Sequence, residues 1–215
     1  MIICGIDEAG RGPVIGPLVM CGVLIEEEEE KRFSNIGARD SKLLSPVQRE
    51  DMYEKIINIA KDYKVIITSE NEIDNAVLSE TTNLNWLEAG TIAEIINTLK
   101  PDMAYVDCPS NNISAFTQYL KSLLKCNTKI IAEHKADTLH PSVSAASIIA
   151  KVTRDKEISK LKQEHNIEFG SGYPSDPRTV EFLRENYDKY PIFRKSWVSW
   201  KRVAEKKDQK NLSEF

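Results

Sequence analysis

Apolar and β-branched residues gather early in two runs, 2–6 and 14–25, separated by a glycine-rich turn; the pattern predicts a hairpin or two adjacent antiparallel strands. Ser45-Pro46-Val47-Gln48 has capping-box spacing with proline at the first helical position, and Met52, Ile56, Ile57 and Ile59 continue at helical intervals. A helix over 46–63 is therefore expected. Residues 64–69 read as a strand. Leu84, Leu87, Ile92, Ile95, Ile96 and Leu99 mark one face of a long helix, expected over 79–99 as plain core and ended by Lys100-Pro101. A short buried strand over 103–107, a helix over 113–124 and a strand over 128–132 follow.

From 141 to 163 the small residues Ser142, Ser144, Ala145, Ala146, Ser147 and Ala150 predict a helix lying close against a sheet, with a polar back half. Residues 170–177 hold four Gly or Pro in eight positions and read as a loop. A helix over 177–187 comes next, and Pro191 separates it from a terminal helical segment with Trp197 and Trp200. Strands spaced by helices imply crossover connections, so the expected architecture is α/β with a mixed sheet, antiparallel at first and parallel later. The expected organisation is one domain over 1–190 and a basic helical segment over 191–215.

Composition narrows the setting. The 215 residues are 41% apolar, which suits an ordinary globular chain. The longest apolar stretch, 14–25, is broken by Gly16, Pro17 and Gly22, so no membrane association is expected. Met1 leads into Ile-Ile-Cys without a basic start or cleavage site, so no secretory signal is expected either. Cys4, Cys21, Cys108 and Cys126 lack C-x-x-C spacing and read as buried free thiols of a reducing cytoplasm. The net charge of −4 argues against a nucleic-acid partner only until its distribution is read. Residues 194–215 carry seven basic and three acidic residues, and 121–160 carry eight basic and four acidic, whereas residues 26–30 are an unbroken acidic run, expected to be solvated.

Candidate chemistry sits at strand ends. The first strand runs into Asp7-Glu8-Ala9-Gly10-Arg11-Gly12-Pro13. Neighbouring strand residues point to opposite faces, so both carboxylates cannot enter one apolar core, and burying one favours a metal or a basic partner. A plain acidic turn is equally consistent with these residues alone. Asp107 also closes an apolar strand, and Asp137 follows the last one; helix capping is the alternative for Asp137. Asp7, Glu8, Asp107 and Asp137 together would form an oxygen-rich cluster without Cys or His, suited to Mg²⁺ or Mn²⁺. Two such ions support phosphodiester hydrolysis. His134 and His140 are the nearest proton shuttles, or structural histidines.

The ordered stretches Gly5-Ile-Asp-Glu-Ala-Gly-Arg-Gly-Pro13, Asp40-Ser-Lys42, Tyr105-Val-Asp-Cys-Pro109, His134-Lys-Ala-Asp137 with Val143-Ser-Ala-Ala-Ser147 and Ala150-Lys-Val-Thr-Arg-Asp155, and Gly172-Tyr-Pro174 resemble the motif set of ribonuclease HII. Arg194-Lys-Ser-Trp197 is similar to the archaeal and eukaryotic side of that family. The resemblance implies the ribonuclease H fold, a five-stranded mixed sheet flanked by helices. It implies that Asp7, Glu8, Asp107 and Asp137 are catalytic and bind two divalent ions. The implied activity is endonucleolytic hydrolysis of the RNA strand in RNA/DNA hybrids and cleavage 5′ of a ribonucleotide embedded in duplex DNA, leaving 3′-hydroxyl and 5′-phosphate ends. The alternatives are a two-metal nuclease of the same fold restricted to RNA runs, or a non-catalytic hybrid-binding protein. By the resemblance, Gly10, Arg11 and Gly12 read the 2′-hydroxyl and Tyr173 stacks at the RNA-to-DNA junction. Lys42, Lys151 and Arg154 are candidate phosphate contacts, with a surface charge or salt bridge as the competing account for each. Trp197 and Trp200 are expected to pin the terminal segment. A monomer is expected, and a replication-clamp partner is left open.

Overall fold

The computed structural model describes residues 1–38 and 45–213; of Pro46 and residues 207–213 it describes the backbone alone. Lys42 lies outside the described residues. Among those described, five strands form one sheet in the order β3-β2-β1-β4-β5. The strands are β1 (Ile2–Ala9), β2 (Leu18–Glu26), β3 (Asp62–Thr68), β4 (Met103–Asp107) and β5 (Lys129–Glu133). β1 runs antiparallel to β2, with Ile2 opposite Glu26 and Ala9 opposite Val19. It runs parallel to β4, with Ile3 opposite Met103 and Ile6 opposite Val106, and β4 runs parallel to β5. The mixed sheet expected from the sequence is present.

The chain divides into two compact units. The first comprises residues 1–9, 19–67 and 84–153, and holds most of the sheet with α1 (Lys31–Asn35), α2 (Pro46–Ile59), α4 (Leu84–Leu99), α5 (Ile113–Ser122), α6 (Ala136–Leu139) and the first half of α7 (Pro141–His165). β1 and β2 are buried almost throughout, as near-continuous apolar runs must be when both sheet faces are covered. Ile3, Val19, Cys21, Val23 and Ile25 meet Ala145, Ala146, Ile149 and Val152 of α7 on one face, with Met52 and Ile56 of α2. The other face carries α4: a Cβ on Gly22 would lie 2.4 Å from Ile95. The small-residue run of α7 serves the close approach it suggested, because Gly5 of β1 lies directly against the backbone of Ser142 and Val143.

The second unit comprises 10–18, 68–83 and 154–215. Val14, Ile15, Ile158, Phe169, Leu183, Ile192 and Phe193 form its core, bordered by Phe182, Tyr187, Tyr190, Trp197 and Trp200. It contains α3 (Glu70–Leu78), the second half of α7, α8 (Pro177–Asn186) and α9 (Val198–Ser213).

Several boundaries differ from expectation, each for a local reason. The second strand starts at Leu18 instead of 14, because Gly16 takes a φ of +89° and Pro17 follows it. The Ser45 capping box is present, with Ser45 N–H donating to Gln48 Oε1 at 2.9 Å and Gln48 N–H to Ser45 Oγ at 3.3 Å. Its helix ends at Ile59 because Asp62 already begins the edge strand β3. The expected helix over 79–99 begins only at Leu84, and α3 before it was not foreseen. Its signal was present: Ser69 and Glu72 make the same capping box as Ser45 and Gln48. Nor is α4 plain core, since Glu88 is fully buried within it. Glu30, at the end of the acidic run, is not simply solvated. Its Oε1 accepts from Ser142 N at 3.1 Å and Ser142 Oγ at 2.7 Å, satisfying a donor in the first turn of α7.

Candidate active site

The register decides what meets. One step beyond the paired residues Ile6 and Val106 come Asp7 and Asp107, so two acidic residues of parallel neighbours end at one sheet edge. Asp137 lies in the first turn of α6, four residues past β5. It is not the N-cap of α6, a position held by Lys135 in the left-handed region at φ 58°. One carboxylate oxygen from each of Asp7, Asp107 and Asp137 lies within 4.8 Å of the others. Asp7 and Asp137 are buried and Asp107 half-buried.

Glu8 is outside this group of three, as strand alternation requires. Ile3, Gly5 and Asp7 face α7, so Glu8 faces α4. There its charge, with those of Asp107 and Glu88, adds to the burial that raises the Cys108 thiol.

Asp7 is held from several sides. Its Oδ1 accepts the Glu8 N–H at 2.7 Å, and the Ser147 hydroxyl donates to its carboxylate. Lys151 Nζ donates in turn to Ser147 Oγ at 2.6 Å, one helical turn along α7. Asp107 Oδ1 accepts from Ala136 N–H at 3.4 Å. Burial, with Asp107 alongside, pushes the Asp7 carboxyl up to about 6 against these hydrogen bonds and Lys151. A divalent cation relieves such crowding. Three carboxylates with no sulfur or imidazole among them fit a hard oxygen-seeking ion such as Mg²⁺ or Mn²⁺. Ser147→Ala keeps the close packing and removes the donor to Asp7. The Mg²⁺ concentration for half-maximal activity is expected to rise about tenfold in a titration; an unchanged requirement would show that Ser147 only fills space.

Both candidate histidines have structural partners. His134 Nδ1 lies 3.0 Å from the Cys108 carbonyl oxygen. His140 bonds Glu133 at 3.1 Å and stacks on Tyr105 at 3.9 Å between ring centroids. The four cysteines are free thiols; Cys126 is half-buried and the other three are buried.

In the second unit, the turn beginning at Gly10 is tightly specified. Gly10 has φ +87°, and a Cβ there would lie 2.4 Å from Arg154 Cδ and 2.7 Å from the Pro17 carbonyl oxygen. Arg11 is half-buried and Gly12 exposed. Arg154 is 5% exposed, donates to Ile15 O at 3.4 Å and lies over the Tyr173 ring at 5.1 Å. Its guanidinium therefore buttresses the turn and the tyrosine. Lys151, in the first unit, bonds Ser147. Tyr173 is 38% exposed. Trp197 Nε1–H donates to Gly12 O at 3.1 Å and Trp200 Nε1–H to Tyr187 O at 2.9 Å, the pinning roles expected of them.

Three contributors escaped the sequence reading. Ser147 was one of several small residues, and nothing in the run separated it from Ser142 or Ser144. Asp74 lay in the unforeseen helix α3. Arg194 stands out in the sequence only by its charge and its place in the Arg194-Lys-Ser-Trp197 motif, neither of which signals that it is fully buried.

The family model for ribonuclease HII matches residues 4–203. Ribonuclease HII of Pyrococcus furiosus is 45% identical over 225 residues, spanning 100% of this chain and 98% of the relative. Among solved structures, ribonuclease H2 from Pyrococcus horikoshii superposes with a TM-score of 0.88 at 47% identity, covering 96% of this chain and 98% of that one. The ribonuclease HII of the PCNA:RNase HII complex from Archaeoglobus fulgidus does so with a TM-score of 0.83 at 40% identity, over 92% and 95%.

Proposed function

Because the chain belongs to the ribonuclease HII family, and is thus a metal-dependent endoribonuclease of the ribonuclease H fold, we propose that it cuts the RNA strand of RNA/DNA hybrids and nicks duplex DNA 5′ of an embedded ribonucleotide. The observation that carries the reading is the convergence of Asp7, Asp107 and Asp137 at one sheet edge. Glu8, at the same strand end but turned to the α4 face, is the fourth residue of the proposed set. Bound there, two Mg²⁺ or Mn²⁺ ions would activate a water and stabilise the leaving 3′-oxygen of a phosphodiester.

The protein's own groups do the rest. Ser147 and the Glu8 N–H fix the Asp7 carboxylate, Lys151 fixes Ser147, and Ala136 N–H fixes Asp107. Preset ligands spare the ions the cost of ordering them. Only the 2′-hydroxyl marks a ribonucleotide among deoxyribonucleotides, so recognition needs short polar groups that approach closely. The backbone of Gly10-Arg11-Gly12 supplies them, and at Gly12, which is exposed, no Cβ narrows the approach. Tyr173, with the cation of Arg154 against its ring, offers a stacking face at the RNA-to-DNA junction. The relative from Archaeoglobus fulgidus, seen in a PCNA:RNase HII complex, supports a clamp partner for this chain.

Product mapping on a duplex with one ribonucleotide tests the reading, with Mg²⁺ or Mn²⁺ and with chelator as control. One nick 5′ of the ribonucleotide, leaving 3′-hydroxyl and 5′-phosphate ends, is expected. Cleavage of a run of four ribonucleotides with none at the single site would restrict the enzyme to RNA runs.

A further inference from the structure

Arg194 is fully buried, and all three of its nitrogens donate to backbone carbonyls. Nε reaches Gly16 O at 2.9 Å, Nη1 reaches Arg11 O at 3.0 Å and Nη2 reaches Gly10 O at 2.6 Å. Trp197 continues the pattern. Its ring lies against the guanidinium, 4.9 Å to the centroid, and its Nε1–H takes Gly12 O at 3.1 Å. The carbonyls of three consecutive residues, Gly10, Arg11 and Gly12, are therefore all engaged by residues 194–197.

That short segment is itself anchored. Asp74 accepts the N–H of Lys195 at 2.7 Å, the N–H of Ser196 at 2.9 Å and the Ser196 hydroxyl at 2.5 Å. The Arg194 N–H donates to Val14 O at 2.8 Å. Each of these groups belongs to the second unit.

Peptide geometry converts this grip into a direction. In a trans peptide the C=O of one residue and the N–H of the next point oppositely, and every described peptide here is trans. With Gly10 O and Arg11 O turned towards Arg194, the N–H groups of Arg11 and Gly12 face away from it. Two successive amides aimed to one side form a concavity for an oxygen acceptor. A planar guanidinium reaches three carbonyls at once in a fixed fork, which a lysine ammonium on a flexible stem cannot do. Burying the cation has a cost: desolvation and then Arg154 push the guanidinium down to about 10, while Glu70, Tyr173 and Asp74 act the other way.

We infer that Arg194, with Trp197, is a specificity-determining positioning residue that turns the Arg11 and Gly12 amides towards the 2′-hydroxyl of the substrate ribonucleotide. The inference rests on the proposed reading of that hydroxyl by Gly10–Gly12.

The test is the affinity of the full chain for a duplex with one ribonucleotide relative to an all-DNA duplex of the same sequence. It is measured by fluorescence anisotropy with Ca²⁺ replacing Mg²⁺ to hold back cleavage. Arg194→Lys keeps the charge and loses the fork. Its ribonucleotide preference is expected to fall about tenfold, the equivalent of one charge-assisted hydrogen bond, while all-DNA affinity is unchanged. General loss of structure would weaken both duplexes alike. Trp197→Phe keeps a smaller aromatic ring at this position and removes the donor to Gly12 O, so a drop of about threefold is expected, and this variant carries the test if Arg194→Lys does not fold. A wild-type preference in folded Arg194→Lys, or in Trp197→Phe if only that variant folds, removes the role given to Arg194 while leaving the 2′-hydroxyl reading intact. Equal binding of both duplexes by the wild type removes that reading itself, and the inference with it.

Discussion

Asp7→Asn is expected to lower Mg²⁺-dependent nicking of a ribonucleotide-containing duplex about a thousandfold while raising the melting temperature of the metal-free protein. Asparagine keeps the shape and the oxygen that accepts from Glu8 N–H and Ser147, but brings no charge to hold a cation. The same charge is a burden when no cation is present. Burial first, then Asp107, lifts the Asp7 carboxyl from its ordinary 3.8 to about 6, so the folded chain binds this proton more tightly than the unfolded chain does. Stability of the metal-free wild type therefore falls as pH rises from about 4 through 6, by roughly 2–3 kcal/mol. The asparagine variant lacks that slope. Mg²⁺ binding to the folded state is expected to raise the wild-type melting temperature at neutral pH, and to raise that of Asp7→Asn much less. Thermal melts across pH with and without Mg²⁺, beside an activity assay, decide the matter. Retained activity, or a metal-free variant melting below the wild type, would contradict the account.

Gly5→Ala should cost more stability than the same change at any other glycine of the first unit. A Cβ at Gly5 would lie 2.1 Å from Ser142 C, 2.3 Å from Val143 N and 2.4 Å from Ser142 O. These are backbone atoms at the start of α7, and no side-chain rotation relieves the clash. Either α7 lifts from the sheet or β1 shifts, and each disturbs the edge that carries Asp7. The expected loss is about 4 kcal/mol or more, at the severe end for a single substitution, read from a urea denaturation midpoint. A midpoint within about 0.5 kcal/mol of the wild type would show that helix and sheet separate more easily than this packing implies. Gly22→Ala is the useful comparison. Its nearest neighbours are the side chains of Ile95, Cys4 and Leu99, which can give, so a smaller loss is expected.

Much of this was legible in the amino-acid order because it depends on local chemistry. The apolar runs fixed β1, β2 and β4 as strands, Ser45 and Gln48 placed the start of α2, and the small residues after Pro141 foretold a helix in close contact. The four acidic residues stood out because each follows an apolar strand, where an unsupported carboxylate is costly. The ordered motifs then named the family that the whole-chain match bears out. What local order could not supply was register, sidedness and distant partners. Pairing Ile6 with Val106 brings Asp7 beside Asp107 across 100 positions of sequence, and strand alternation turns Glu8 to the α4 face. Ser147 became the donor to Asp7 only once Gly5 allowed α7 to settle against β1. Arg194 shows the difference most plainly. In the sequence it is one of seven basic residues of the terminal segment and the first residue of the Arg194-Lys-Ser-Trp197 motif; 184 positions from Gly10, it is a buried fork holding the turn. A side chain's type and nearest neighbours are set by the sequence, but which backbone carbonyls it finds is set by the fold, since long-range contacts exist only after the chain has closed on itself.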